Sequence, residues 1–133
     1  MKKQLVAFFS ILALIGFAGC KKGPGVGGNS SIKGSIWVRD FNANFTVLNG
    51  SYAGYDEEVY IIYGDDVSYG DRIRTDYDGE FEFKYLRPGK YTVYVYSKDS
   101  TMQSQSGDIT IIKEVEIADK KTTSEIPKIT IYK

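Results

Sequence analysis

Between Arg74 and Tyr96, in RTDYDGEFEFKYLRPGKYTVYVY, apolar and polar side chains alternate twice in succession. A period of two is the period of a half-buried strand, so this stretch constrains the fold more than any other. From Glu80 to Tyr85, Phe81, Phe83 and Tyr85 share one face, and Glu80, Glu82 and Lys84 share the other. From Tyr91 to Tyr96, Tyr91, Val93 and Val95 oppose Thr92, Tyr94 and Tyr96. Asp78-Gly79 is a hairpin signal, because Gly takes the positive φ that tight turns need. Arg87-Pro88-Gly89-Lys90 suits a type II turn, with Pro presetting φ and Gly following it.

The rest of the chain repeats the pattern. Strands are expected over Ile32–Arg39, Val59–Tyr63, Ile109–Ile117 and Glu125–Tyr132, and Tyr69–Thr75 leads into the central hairpin. Asp40 to Glu58 reads as a long connection, with Phe45–Leu48 able to pair briefly. The doublet Ile111-Ile112 breaks the alternation of its strand and predicts a bulge or two short pieces. Pro127 has no N–H for a ladder and belongs at a strand start or an edge. Seven short strands with turn signals between them, and no period of 3.6, indicate an all-β sandwich. Its expected core is Ile36, Val38, Val59, Ile61, Phe81, Phe83, Tyr91, Val93, Val95, Ile129 and Ile131.

Composition narrows the chemistry. The chain has 133 residues, 17 basic and 17 acidic side chains, and no His. The charge balance supplies no field for nucleic acid. Without His, the commonest general base and the usual zinc ligand are missing, and no cofactor motif is present, so a non-catalytic protein is expected. The only cysteine is Cys20. Lys2 and Lys3 precede an uncharged, largely apolar run from Leu5 to Ala18, which is short for a membrane span and fits a signal peptide.

Phe17-Ala18-Gly19-Cys20 resembles a bacterial lipobox. The resemblance implies cleavage before Cys20, acylation of Cys20, and membrane lipid as a partner. It gives a signal peptide over 1–19, a lipidated Cys and flexible tether over 20–31, and one domain over 32–133. Removing 1–19 takes Lys2 and Lys3 and no acid, leaving 15 basic against 17 acidic side chains. Acyl chains rather than charge would hold such a protein at an outer membrane or elsewhere on a cell envelope.

A second resemblance covers residues 32–132. Thr75-Asp76-Tyr77-Asp78-Gly79-Glu80-Phe81-Glu82-Phe83, followed by Leu86-Arg87-Pro88-Gly89-Lys90-Tyr91-Thr92-Val93, resembles the signature of carboxypeptidase-regulatory-like and collagen-adhesin B-type domains. That resemblance implies a single seven-stranded, antiparallel Greek-key sandwich of transthyretin-like (prealbumin-like) type. It implies no activity, since such folds carry many roles. The Lys–Asn cross-link of some relatives has a matching Lys33 but no Asn between Ser124 and Lys133.

Several groups are candidates for function. Trp37, Tyr60, Tyr94 and Tyr96 point outward on the expected strands, and on one sheet they would form a flat platform for sugar rings. The same tyrosines also serve as ordinary cross-strand pairs that cover backbone. Asp56, Glu57, Glu58, Asp65, Asp66 and Asp71 crowd two connections, without the loop spacing of a calcium site. Asp99-Ser100-Thr101 resembles a short bacterial O-glycosylation motif. The expected protein is thus a lipid-anchored envelope module that binds or scaffolds, with a glycan or an envelope protein as partner.

Overall fold

Side chains that are β-branched or aromatic fit a pleated, half-buried surface, and this chain is built from them. The computed structural model describes residues 23–133. Among those residues lie nine strands and no helix: β1 (Val26–Phe41), β2 (Leu48–Ala53), β3 (Glu58–Tyr63), β4 (Asp71–Arg74), β5 (Glu80–Leu86), β6 (Gly89–Lys98), β7 (Asp108–Ile117), β8 (Thr123–Glu125) and β9 (Ile129–Tyr132). The expected signal peptide over 1–19, the segment that resembles a lipobox and Cys20 lie outside the described residues.

Two sheets face each other. The first is centred on β1, whose 16 residues serve different partners along their length. Its first half pairs antiparallel with β5, from Val26↔Leu86 to Ser35↔Glu80. Its second half pairs antiparallel with β2, from Trp37↔Ala53 to Phe41↔Leu48. On its other edge β8 and then β9 run parallel to it, at Ile32↔Ser124 and Val38↔Ile131. The second sheet has the order β4-β3-β6-β7 and is antiparallel throughout.

The expected seven antiparallel strands therefore become nine, two of them parallel to β1. Pro127 is the reason for one division: it sits between β8 and β9, where it has no N–H to give. The parallel pairing arises because the chain returns from β7 in the other sheet and meets β1 running in the same direction. The nine segments still fill only three positions across one sheet and four across the other, since β2 and β5 share one edge of β1 and β8 and β9 the other.

Every residue expected in the core is buried, joined by Ile32, Leu86, Ile117 and Ile126. Tyr85 departs from the expected alternation. Its φ of 60° turns the backbone, so Leu86 rather than Tyr85 enters the core and Tyr85 is exposed. The doublet Ile111-Ile112 makes no bulge. β7 pairs with β6 in unbroken register from Asp108 to Ile117, and Ile112 faces outward opposite Tyr94.

Neither turn flanking β5 closes a hairpin. The Asp76–Gly79 turn forms, with Gly79 N–H donating to Asp76 O at 3.0 Å, but it carries the chain from β4 in one sheet to β5 in the other. Asp76 Oδ1 accepts from the amides of Asp78 and Glu80, at 3.0 and 2.9 Å. Gly79 has φ of 75°, and a Cβ there would lie 2.5 Å from Ile36 O. At Arg87–Lys90 the chain again passes between sheets, and the expected type II turn is absent. The Arg87 carbonyl instead accepts from the Tyr91 hydroxyl at 2.6 Å, a link from a strand start back to nearby backbone that resembles a tyrosine corner.

Within the stretch expected to be a tether, the described residues 23–31 are held against the sandwich. Arg87 binds it at three points: its amide donates to Gly25 O at 2.9 Å, Nε to Gly23 O at 2.7 Å, and Nη1 to Val26 O. The buried Gly25 N–H donates to the Tyr91 hydroxyl at 2.9 Å. Residues Val26–Ser31 belong to β1, and Ser30 and Ser31 are buried.

Candidate functional site

The outer face of the second sheet carries a cluster of tyrosines. Alternation sends Val59 and Ile61 of β3 inward and Tyr60 outward, and does the same for Val93, Val95, Tyr94 and Tyr96 of β6. Tyr60 and Tyr94 are cross-strand partners. Their rings stack at 4.9 Å between centroids, 7° from parallel. Tyr96 meets Tyr60 edge-on at 5.6 Å, and Tyr94 at 5.9 Å. A fourth ring comes from the β3–β4 loop: Tyr69 packs edge-on against Tyr60 at 5.1 Å.

Exposure divides these rings by role. Tyr60 is only 9% exposed, sealed by its neighbours, whereas Tyr69 and Tyr96 are 46% and 53% exposed. Tyr60 is thus the base of the cluster, and Tyr69 and Tyr96 are its accessible surfaces. Ile112, opposite Tyr94, and Thr110, opposite Tyr96, extend the face onto β7. An open depression beside Tyr96 is lined by Ser106, Asp108, Ile109 and Thr110.

Charged groups border the cluster on the β4 side. The Tyr60 hydroxyl donates to Glu58 Oε2 at 2.8 Å. That bond, followed by burial, raises the Tyr60 pKa above its ordinary 10.0, so the phenol stays neutral as a donor. Glu58 Oε1 also takes Arg74 Nη2 at 2.9 Å and lies 3.7 Å from Arg72 Nη1. Burial raises the pKa of Tyr94 as well, with smaller contributions from Tyr96 and Tyr69.

Trp37 does not join this face. It lies on β1 in the other sheet, where Lys128 Nζ sits 5.0 Å from its ring centroid. The expected four-residue platform is therefore Tyr60, Tyr94 and Tyr96 with Tyr69 in place of Trp37. Sequence reading missed Tyr69 because it lies beyond the alternating stretch, on a loop whose path only the tertiary structure sets. The acidic residues are also dispersed. Asp56 and Glu58 meet arginines and Glu57 meets Lys133, and among the described residues no three His, Cys, Asp or Glu converge on a point.

The Asp99-Ser100-Thr101 motif is built around a buried carboxylate. Asp99 Oδ1 accepts from the Thr101 hydroxyl at 2.6 Å and its amide at 2.9 Å. Asp99 Oδ2 accepts from the amides of Gln103 and Ser104, at 3.0 and 2.8 Å. These bonds, that of the Thr101 hydroxyl foremost, lower the Asp99 pKa to about 2.

Two facing sheets with an aromatic outer face define a β-sandwich module. Residues 46–124 match the family described as Polysaccharide lyase family 4, domain II, and the chain belongs to that domain family. Its description differs from that of the family the turn signature resembles, and what the two share is the coarser statement, a β-sandwich domain. No curated protein matches the sequence. Among solved structures, a Pseudomonas aeruginosa protein provisionally described as carbohydrate-binding is 16% identical, with a TM-score of 0.45 over 88% of this chain and 94% of that one. The (S)-allantoin synthase structure is 11% identical, with a TM-score of 0.44 over 79% of this chain and 43% of that one.

Proposed function

We propose that this protein is a non-catalytic carbohydrate-binding module, held on a bacterial envelope by an acylated Cys20. The observation that carries the binding reading is the outward tyrosine cluster, with Tyr69 and Tyr96 open to solvent on a rigid sheet. Aromatic faces stack on the C–H faces of sugar rings, and neutral phenols and paired ions beside them exchange hydrogen bonds with hydroxyls. Membership in a domain family of a polysaccharide lyase supports the same ligand class.

A glycan array probed with the full chain in detergent tests this reading. Binding is expected for the parent and lost in Tyr96→Ala. Trp37→Ala, on the opposite sheet, is expected to leave it unchanged. Loss in Trp37→Ala with retention in Tyr96→Ala would move the site to the other face.

Lipid anchoring rests on the resemblance of Phe17-Ala18-Gly19-Cys20 to a lipobox. Three residue steps separate Cys20 from the clamped Gly23, an extended reach of about 10–11 Å. Acylated Cys20 would therefore hold the Arg87 end of the sandwich close to the bilayer. Intact mass of the membrane-extracted protein is expected to show acyl chains that are lost in Cys20→Ala.

A structural role through strand addition is the weaker reading. Among the described residues β7 pairs along one edge alone, but Lys113 lies half-buried on the inner face beside Val93, and an inward charge is a device that blunts an edge.

A further inference from the structure

Two exposed rings outside the cluster stack on each other. Tyr55 and Tyr77 are 5° from parallel, with centroids 4.3 Å apart, and they are 52% and 80% exposed. They come from separate connections. Tyr55 lies where the chain crosses from β2 to β3, and Tyr77 where it crosses back from β4 to β5. The two crossings are locked together: Thr75 Oγ1 donates to Gly54 O and accepts from the Glu57 amide at 2.9 Å, and the Asp56 amide donates to Thr75 O at 3.2 Å. The hydroxyl of Tyr77 is the foremost influence raising the Tyr55 pKa, so the Tyr55 phenol stays neutral.

A chain of polar contacts runs from this pair to the tyrosine cluster. Asp56, next to Tyr55, meets Arg74 at 3.3 Å; Arg74 meets Glu58 at 2.9 Å; Glu58 accepts the Tyr60 hydroxyl at 2.8 Å. The surface therefore reads aromatic, ionic, aromatic. Two inter-strand spacings of about 4.8 Å separate β6 from β4, and Tyr55 and Tyr77 lie past the strand ends, three residues before Glu58 of β3 and three after Arg74 of β4. An occupant that touches Tyr96 and Tyr77 together spans more than about 10 Å.

We propose that Tyr55 and Tyr77 form a second aromatic subsite, and that the strip from Tyr96 to Tyr77 binds one extended, neutral oligosaccharide. This deepens the carbohydrate-binding reading and rests on it. Neutrality follows from charge matching. Arg72 and Arg74 face Asp56 and Glu58, so among the described residues both arginines along the strip are matched by carboxylates and do not favour an acidic sugar. Paired ions with spare lone pairs and N–H groups suit hydroxyls, which both donate and accept. Exposed rings at either end, Tyr96 at one and the Tyr55–Tyr77 stack at the other, give each terminal sugar an aromatic partner, and linking two such contacts raises affinity with chain length.

The test is titration calorimetry of the full chain in detergent with gluco- and xylo-oligosaccharides from disaccharide to hexasaccharide, and with oligouronides of the same lengths. Affinity is expected to rise with length and to favour the neutral series. Tyr77→Ala is expected to weaken hexasaccharide binding about three- to tenfold and to leave disaccharide binding at Tyr96 unchanged. Tyr77 is so exposed that the variant should fold, and its melting curve checks this. Binding that needs Tyr96 but ignores both Tyr77 and chain length would overturn the second subsite and spare the first. Preference for oligouronides would overturn the neutral assignment. No binding to any member of the panel would overturn both this inference and the reading beneath it.

Discussion

Tyr91 shows how one side chain ties three segments together. Its ring packs in the core while its hydroxyl accepts from Gly25 and donates to Arg87 O, joining the first strand to the passage between β5 and β6. Burial is the main reason its pKa is raised, so the hydroxyl keeps its proton and remains a donor. Asp99 organises its loop by the opposite logic, as a charge that four donors stabilise. Its pKa is depressed to about 2 from an ordinary 3.8. A depressed pKa means that the stabilisation is present above the unfolded value and lost as pH falls through the folded one. Protection of the Gln103 and Ser104 amides from hydrogen exchange is therefore expected to fall between about pH 4 and 2. Asp99→Asn should remove that pH dependence. A loop equally protected at both ends of that range would show that Asp99 does not hold it.

At the scale of elements, the local pattern predicts strands well and their partners poorly. β6 alternates as expected, and β5 does so as far as Lys84, yet they lie in different sheets, each paired with a strand far away in sequence. The same alternation would serve a hairpin. What excludes it is the geometry of the two connections, and Gly79 is central to the first. A side chain there would meet both an unfavourable positive φ and the Ile36 carbonyl. Gly79→Ala is expected to destabilise the fold by at least about 1 kcal/mol, read as a shift in urea midpoint. An unchanged midpoint would mean that the crossing tolerates another path. Tyr85 and Ile112 make the same point in reverse. Each departs from a simple alternating reading, one because the backbone turns at a positive φ, the other because an aromatic outer face gives an exposed isoleucine a neighbour.

For the whole molecule, stability comes from closing two sheets over one shared core. Phe83 from the first sheet lies in the same buried cluster as Val93 and Val95 of the second. Phe83→Ala is expected to cost about 3–5 kcal/mol, with little change in denaturant slope if unfolding remains a single transition. A midpoint that barely moves would contradict its place in the core. The candidate site belongs to this scale too. Tyr60, Tyr94 and Tyr96 were legible as outward residues because period two fixes a side chain's face. Tyr69, Tyr55 and Tyr77 were not, because loops carry no such period.

Residue pattern alone thus determined that the chain forms strands, which side chains those strands bury and which they turn outward. Both follow from the two-residue repeat of the backbone and the cost of leaving large apolar groups in water. Only the tertiary structure decided that β8 and β9 run parallel to β1, that Trp37 and the tyrosine cluster occupy different sheets, and that Tyr55 meets Tyr77. Those outcomes depend on pairings between residues distant in sequence, and the energy of such a pairing is written in no single segment.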